Sequence, residues 1–156
     1  MSIDKNFIKK YLNSTKYIIL ATVNGENAPA LRVLGAFGVD GYTTYFSTIG
    51  GSAKVEQIKH NANVSVFFQH ENQELASFVN ITIKGKAVKI TDEAELKKAI
   101  EIIGNKNSNF KERIKKNGLG DNIIIRVDPS ELKILDFKKS PGENRVEVIP
   151  LLDENY

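Results

Sequence analysis

Two dipeptides constrain this chain more than anything else in it. Asn24-Gly25 and Asp40-Gly41 each separate runs of aliphatic, aromatic and β-branched residues. Such pairs tolerate the positive φ angles that tight hairpin turns demand, so flanking apolar runs beside them read as antiparallel strands. The three runs are YIILATV (Tyr17–Val23), APALRVLGAF (Ala28–Phe37) and YTTYFST (Tyr42–Thr48), which together predict a meander. Further on, NVSVFFQ (Asn63–Gln69) predicts a fourth strand. FVNITIKGKAVKIT (Phe78–Thr91) predicts a long fifth one in which Gly85 marks a bulge or bend. NIIIRVDP (Asn122–Pro129) and the following ELKILDF supply one or two closing strands. About six strands with short turns and few helices predict a mainly β fold, a small antiparallel barrel with short flanking helices.

The helices carry their own signals. Phe7, Ile8, Tyr11 and Leu12 recur at helical spacing behind a capping Asp4. Ser52 to His60 places Val55 and Ile58 on one face, with Ser52 as the expected cap. Asp92 with Glu95 forms a capping-box pattern ahead of Leu96, Ala99, Ile100 and Ile103, and Gly104 is expected to end that helix. A short helix over Asn109–Lys116 follows.

Composition narrows the chemistry. The 156 residues suit one domain, 1–156, large enough to bury a core. There is no cysteine, which excludes disulfides, thiolate metal sites and a cysteine nucleophile. His60 and His70 alone make a poor metal set, and no metal is expected. The opening MSIDKNFIKKYLN lacks the apolar core of a signal peptide, and no apolar run approaches the ~20 residues of a membrane span, so a cytoplasmic location is expected. The surplus of 22 Lys and Arg over 19 Asp and Glu is small. Lysine pairs such as Lys9-Lys10 and Lys115-Lys116 lack interleaved aromatics, so nucleic acid is not the expected partner. A mild basic bias suits an anionic small ligand.

Two residues break local rules. Lys54 lies in the opening turn of a helix, where the macrodipole disfavours a cation by roughly 0.3–1 kcal/mol. Arg32 lies in ALRVLGAF, apolar on both faces, which predicts a strand buried on both sides and a guanidinium in need of an anion or several acceptors. Taken singly, Arg32 could pair with a carboxylate such as Glu56, and Lys54 could point into water. Taken with Ser47, Thr48, Ser52 and the Gly50-Gly51 turn, they form the parts of a phosphate site: hydroxyls, free N–H groups at a helix start and two cations. Neither a P-loop nor a GxGxxG fingerprint is present.

The ordered segments RVL (Arg32–Leu34), YFST (Tyr45–Thr48), GSAK (Gly51–Lys54), HNANVSVFF (His60–Phe68) and IKGKA (Ile83–Ala87) resemble the pyridoxamine 5′-phosphate oxidase-like FMN-binding split barrels. The resemblance runs from about Tyr17 to Thr91. It implies a six-stranded antiparallel split barrel of Greek-key type and a homodimer with two FMN molecules in clefts at its interface. It implies that Arg32 and Lys54 hold the FMN phosphate with help from Ser52, and that Val33 and Leu34 line the isoalloxazine. Ser47 and Thr48 would bond the ring and ribityl chain through main chain or hydroxyl.

Asn80, five residues before Gly85, falls where the oxidases carry a glutamine that reaches the flavin from the partner subunit. A polar strand residue facing solvent is the alternative. The sequence also departs from the oxidases. Ala53 stands where they have a second basic residue, and the C-terminal FKKSPGENRVEVIPLLDENY has no tryptophan and only the lone Arg145. The resemblance therefore implies flavin binding without pyridoxamine 5′-phosphate oxidation. An FMN-dependent oxidoreductase of unassigned substrate is expected, with a non-catalytic flavin- or haem-binding module on the same barrel as the alternative. No catalytic side chain is assigned, because the flavin carries the redox chemistry.

Overall fold

The computed structural model describes residues 4–151. Its strands are β1 (Ile18–Val23), β2 (Pro29–Leu34), β3 (Phe37–Asp40), β4 (Thr43–Ile49), β5 (Asn63–Gln69), β6 (Val79–Lys89), β7 (Asn122–Asp136) and β8 (Val146–Pro150). The helices are α1 (Lys5–Ser14), α2 (Ala53–His60), α3 (Glu93–Lys106) and α4 (Ser108–Asn117). All eight strands join one antiparallel sheet in the order β2-β1-β5-β6-β7-β4-β3, with β8 alongside the second half of β7.

That order explains the curvature. β2 and β3 end the path on opposite sides, yet only Gly35 and Ala36 separate them along the chain. Leu34 and Phe37 are three residue steps apart and so lie within about 11 Å of each other, which requires the sheet to curl until its ends meet. The Ser47 N–H, donating to the Ala36 carbonyl at 2.9 Å, carries the β3–β4 pairing one residue further toward this junction. The fold is thus a mainly β, curled antiparallel half-barrel with short flanking helices.

Two apolar clusters hold it. One fills the inside of the curl with Leu20, Phe46, Val66, Phe68, Ile81 and Ile83, and α1 plugs it with Ile8, Tyr11 and Leu12. The other lies outside the curl, where α3 and α4 bring Ala99, Ile103 and Phe110 against Tyr45 and Ile124. β4 separates the clusters, so its side chains are buried on both faces, Phe46 inward and Tyr45 outward.

Several expectations are corrected. The three-strand meander is broken, because Ala28–Phe37 bends at Gly35 and Ala36 and its two halves pair with different strands, β2 with β1 and β3 with β4. This division, and β8, a short alternating run (Val146–Pro150) not assigned as a strand from the sequence, account for eight strands against the expected six. β2 is not buried on both faces: Leu31 is 72% exposed and Val33 60%, since β2 ends the sheet path and its outer side has no cover among the described residues.

At the first hairpin the positive φ falls on Asn27 rather than Gly25. Asn24 instead organises a longer loop, its Oδ1 accepting from the N–H groups of Glu26 and Ala28. Gly104 does not end α3, which runs on to Lys106, and serves close packing against Lys111 of α4. The bulge at Gly85 is present, with the register shifting between Lys84 and Gly85, and a Cβ there would overlap the Asp128 carbonyl.

Candidate functional site

Arg32 stands on the inner side of β2, its guanidinium reaching Thr22 of β1 and Gln57 of α2. Nη1 donates to Thr22 Oγ1 at 2.7 Å and Nη2 to Gln57 Oε1 at 3.0 Å. The Thr22 hydroxyl donates in turn to Gln57 Oε1 at 2.6 Å. No carboxylate pairs with Arg32 among the described residues. Glu56, the partner suggested by sequence, lies on the exposed side of α2 and pairs with Lys59 at 3.2 Å. Partial burial holds the Arg32 guanidinium below its ordinary pKa, because its neutral ligands do not offset the lost hydration.

Lys54 does not point simply into water. Its Nζ donates to Thr48 Oγ1 at 2.8 Å and lies 3.5 Å from Ser52 Oγ. Burial, and then the nearby charge of Arg32, hold its pKa low. Ser52 occupies the cap position of α2 but makes no side-chain cap bond. Among the described residues the N–H groups of Ala53 and Lys54 have no protein acceptor. Two cations of the same sign, neutral ligands and unpaired N–H groups at a helix start form a local excess of positive potential that an anion would relieve.

The cluster straddles the seam of the curled sheet. Thr22 and Arg32 come from the β1–β2 end, Thr48 from β4 at the other end, and α2 bridges them with Lys54 and Gln57. Arg32, Thr48, Ser52 and Lys54 are therefore gathered by the fold. Val33 and Leu34 adjoin Arg32, Val33 exposed on the outer face and Leu34 half-buried inward. Ser47 is next to Thr48 but on the opposite face of β4, and its buried Oγ has no hydrogen-bond partner among the described residues.

Asn80 lies on β6, away from the cations, with Nδ2 donating to Gln69 Oε1 at 3.3 Å. It is buried rather than solvent-facing. His70 sits edge-on to Tyr11 with Nε2 2.9 Å from Ser14 Oγ, and His60 is exposed at the end of α2. Thr22 and Gln57 are members of the cluster that the sequence does not single out, since neutral polar residues carry no charge anomaly.

The outer face of the sheet bears a row set by strand register. Val33, Ile19, Phe67, Thr82, Lys133 and Val148 follow one another across β2, β1, β5, β6, β7 and β8. Among the described residues no helix covers this row, in contrast to the face under α3 and α4. A groove of about 600 Å³ opens further along, where β1 and β5 part beyond Ala21 and Ser65, and Thr22 is the one wall residue it shares with the cation cluster.

No curated protein matches the sequence. Among solved structures, a conserved hypothetical protein from Mycobacterium tuberculosis superposes with a TM-score of 0.75 at 15% identity, over 92% of this chain and 95% of its own. A protein related to general stress protein 26, of the pyridoxinephosphate oxidase family, from Clostridium acetobutylicum gives 0.70 at 17% identity, over 99% of this chain and 100% of its own. A haem-binding protein from Mycobacterium smegmatis gives 0.74 at 14% identity, over 96% of this chain but 59% of its own. At these identities the likeness establishes the fold alone. The sequence profile described as pyridoxamine 5′-phosphate oxidase matches residues 5–136, from the first residue of α1 to the last of β7. The chain belongs to the pyridoxamine 5′-phosphate oxidase family.

Proposed function

We propose that the chain is an FMN-binding flavoprotein, a cytoplasmic homodimer acting as an FMN-dependent oxidoreductase. One observation carries the reading: Arg32 and Lys54 share a cluster whose ligands are all neutral oxygens. A phosphate dianion fits that donor set, with Arg32 and Lys54 as charged donors and Ser52 and the free N–H groups of Ala53 and Lys54 completing it. Thr48 leads away from the phosphate toward the ribityl chain, while Ser47, whose side chain turns to the opposite face of β4, would contribute through its main chain. Val33, exposed beside Arg32, and Leu34 offer apolar contact to the isoalloxazine. When bound, FMN supplies hydride or single-electron transfer, while the chain's own residues bind and orient it.

The dimer is supported by the uncovered outer face. Leu31, Val33 and Val148 are each more than half exposed, and an apolar strip on a sheet face marks an association surface. A second copy on that face would shield the strip and bring the partner subunit's Asn80 toward the flavin. Size-exclusion chromatography with light scattering should give twice the chain mass, and the pair Leu31→Glu and Val33→Glu should give the monomer.

The direct test is the absorbance spectrum of the purified protein, with heat-released ligand identified by mass. Flavin bands and FMN support the reading. A Soret band with released haem overturns it in favour of the haem-binding alternative, which the mycobacterial haem-binding neighbour of the same fold keeps open. A colourless protein that takes up neither added cofactor overturns both. Reduction of bound flavin by NAD(P)H with steady turnover separates an oxidoreductase from a passive carrier.

A further inference from the structure

We propose that Gln57 is a positioning residue that sets the charge selectivity of the Arg32 site, holding the guanidinium with a neutral oxygen so that its positive charge stays available to a dianionic phosphate. The inference rests on the FMN reading and names a determinant of it that lies outside the expected site residues.

Gln57 and Lys54 are three apart on α2 and so share a face. That helix therefore contributes one cation and holds the other. Arg32 and the Thr22 hydroxyl both donate to Gln57 Oε1, at 3.0 and 2.6 Å, which fixes the amide with its oxygen toward the guanidinium. A guanidinium has five N–H donors, and Thr22 and Gln57 engage one each. The remaining three have no acceptor among the described residues.

A glutamate at position 57 would have the same shape and reach, and it would make a charge-assisted pair with Arg32. Such a pair would cancel the local charge and set a carboxylate beside the place the phosphate must take. The neighbouring position shows how sharply the helix divides these roles: Glu56 faces outward to Lys59, while the neutral residue at 57 faces Arg32.

The experiment compares FMN with riboflavin, which lacks the phosphate, in fluorescence-quenching titrations of the flavin-free full-length chain. Wild type should prefer FMN by roughly a hundredfold or more, and Gln57→Glu should cut that preference at least about tenfold, with riboflavin affinity within about twofold of wild type. Gln57→Met, which removes the acceptor without adding charge, should cut it by a smaller factor, about threefold. Loss of packing alone would weaken both flavins together and leave their ratio intact, which would overturn the proposal. If Gln57→Glu does not fold, an unchanged ratio in Gln57→Met overturns it. A wild-type chain that does not distinguish FMN from riboflavin overturns the phosphate reading itself, and Gln57 falls with it.

Discussion

Arg32 and Arg126 are the same residue type on strands of one sheet, and their surroundings are opposite. Arg126 is bracketed by carboxylates: Nε and Nη2 reach Asp128 at 2.6 and 3.2 Å, and Nη1 reaches both oxygens of Glu95 at 2.7 and 2.8 Å. The Asp128 and Glu95 bonds raise its pKa far above the ordinary value. Among the described residues Arg32 has only a hydroxyl and an amide oxygen, and its pKa is lowered by burial. The sheet around them differs in the same sense, since α3 and α4 cover the Arg126 side while the outer face beside Arg32 is bare. A cation that ties α3 to β7 receives its counter-charge from the fold. A cation left with neutral ligands keeps its charge uncompensated.

The largest expected effect breaks the Arg32 side of this contrast. Arg32→Ala with Lys54→Ala should weaken FMN by roughly 10²–10⁴-fold, as expected for two charged donors at about 1.5–3 kcal/mol each, while the circular dichroism of the β sheet persists. Full flavin occupancy in that double variant would remove both residues from the site. On the covered side, Phe110→Ala empties a position 2% exposed and should cost about 3–5 kcal/mol in urea unfolding. Its effect on FMN should be confined to what lost stability explains.

Arg126→Met tests the satisfied cation, stranding two partly exposed carboxylates at a cost of about 1–3 kcal/mol. FMN affinity should not change, and a parallel loss of flavin would erase the distinction between the two arginines. The smallest effect is a pH dependence. Because the folded pKa of Lys54 lies below its ordinary 10.5, the unfolded chain holds a proton that the folded chain has released between those two values. Flavin-free wild type should therefore gain stability relative to Lys54→Met as pH rises through that alkaline window. Screening at this partly exposed site keeps the gain well under about 1 kcal/mol. A relative loss over the same window would mean that the ammonium is stabilised, not strained, in the folded chain.

Much of the frame is legible in the sequence for local reasons. The Gly85 bulge shows because a glycine inside a long strand has few other uses, and Asp92 shows because its Oδ2 caps the Glu95 N–H at 2.9 Å. Arg32 and Lys54 show because each contradicts its own neighbourhood. What is hidden depends on how distant segments meet. Thr22 and Gln57 acquire their roles only from the β1–β2 register and the rotation of α2, and Glu95 finds Arg126 from 31 residues away. The bare outer side of β2 is invisible as well, because an apolar strand reads alike whether its cover comes from its own chain or from another.

The seam bridged by Gly35 and Ala36 also governs the order of assembly. The β1–β2 and β3–β4 hairpins are local and can form early, but their strands occupy opposite ends of the hydrogen-bonded path. Closure waits for β5, β6 and β7, and β4 must find β7 across the whole α2-to-α4 stretch, a long-range search that slows folding. Thr48 meets the cations only when the ends of the sheet come together. The site is therefore among the last parts of the molecule to exist, and a chain whose barrel is still open has no assembled place for an anion.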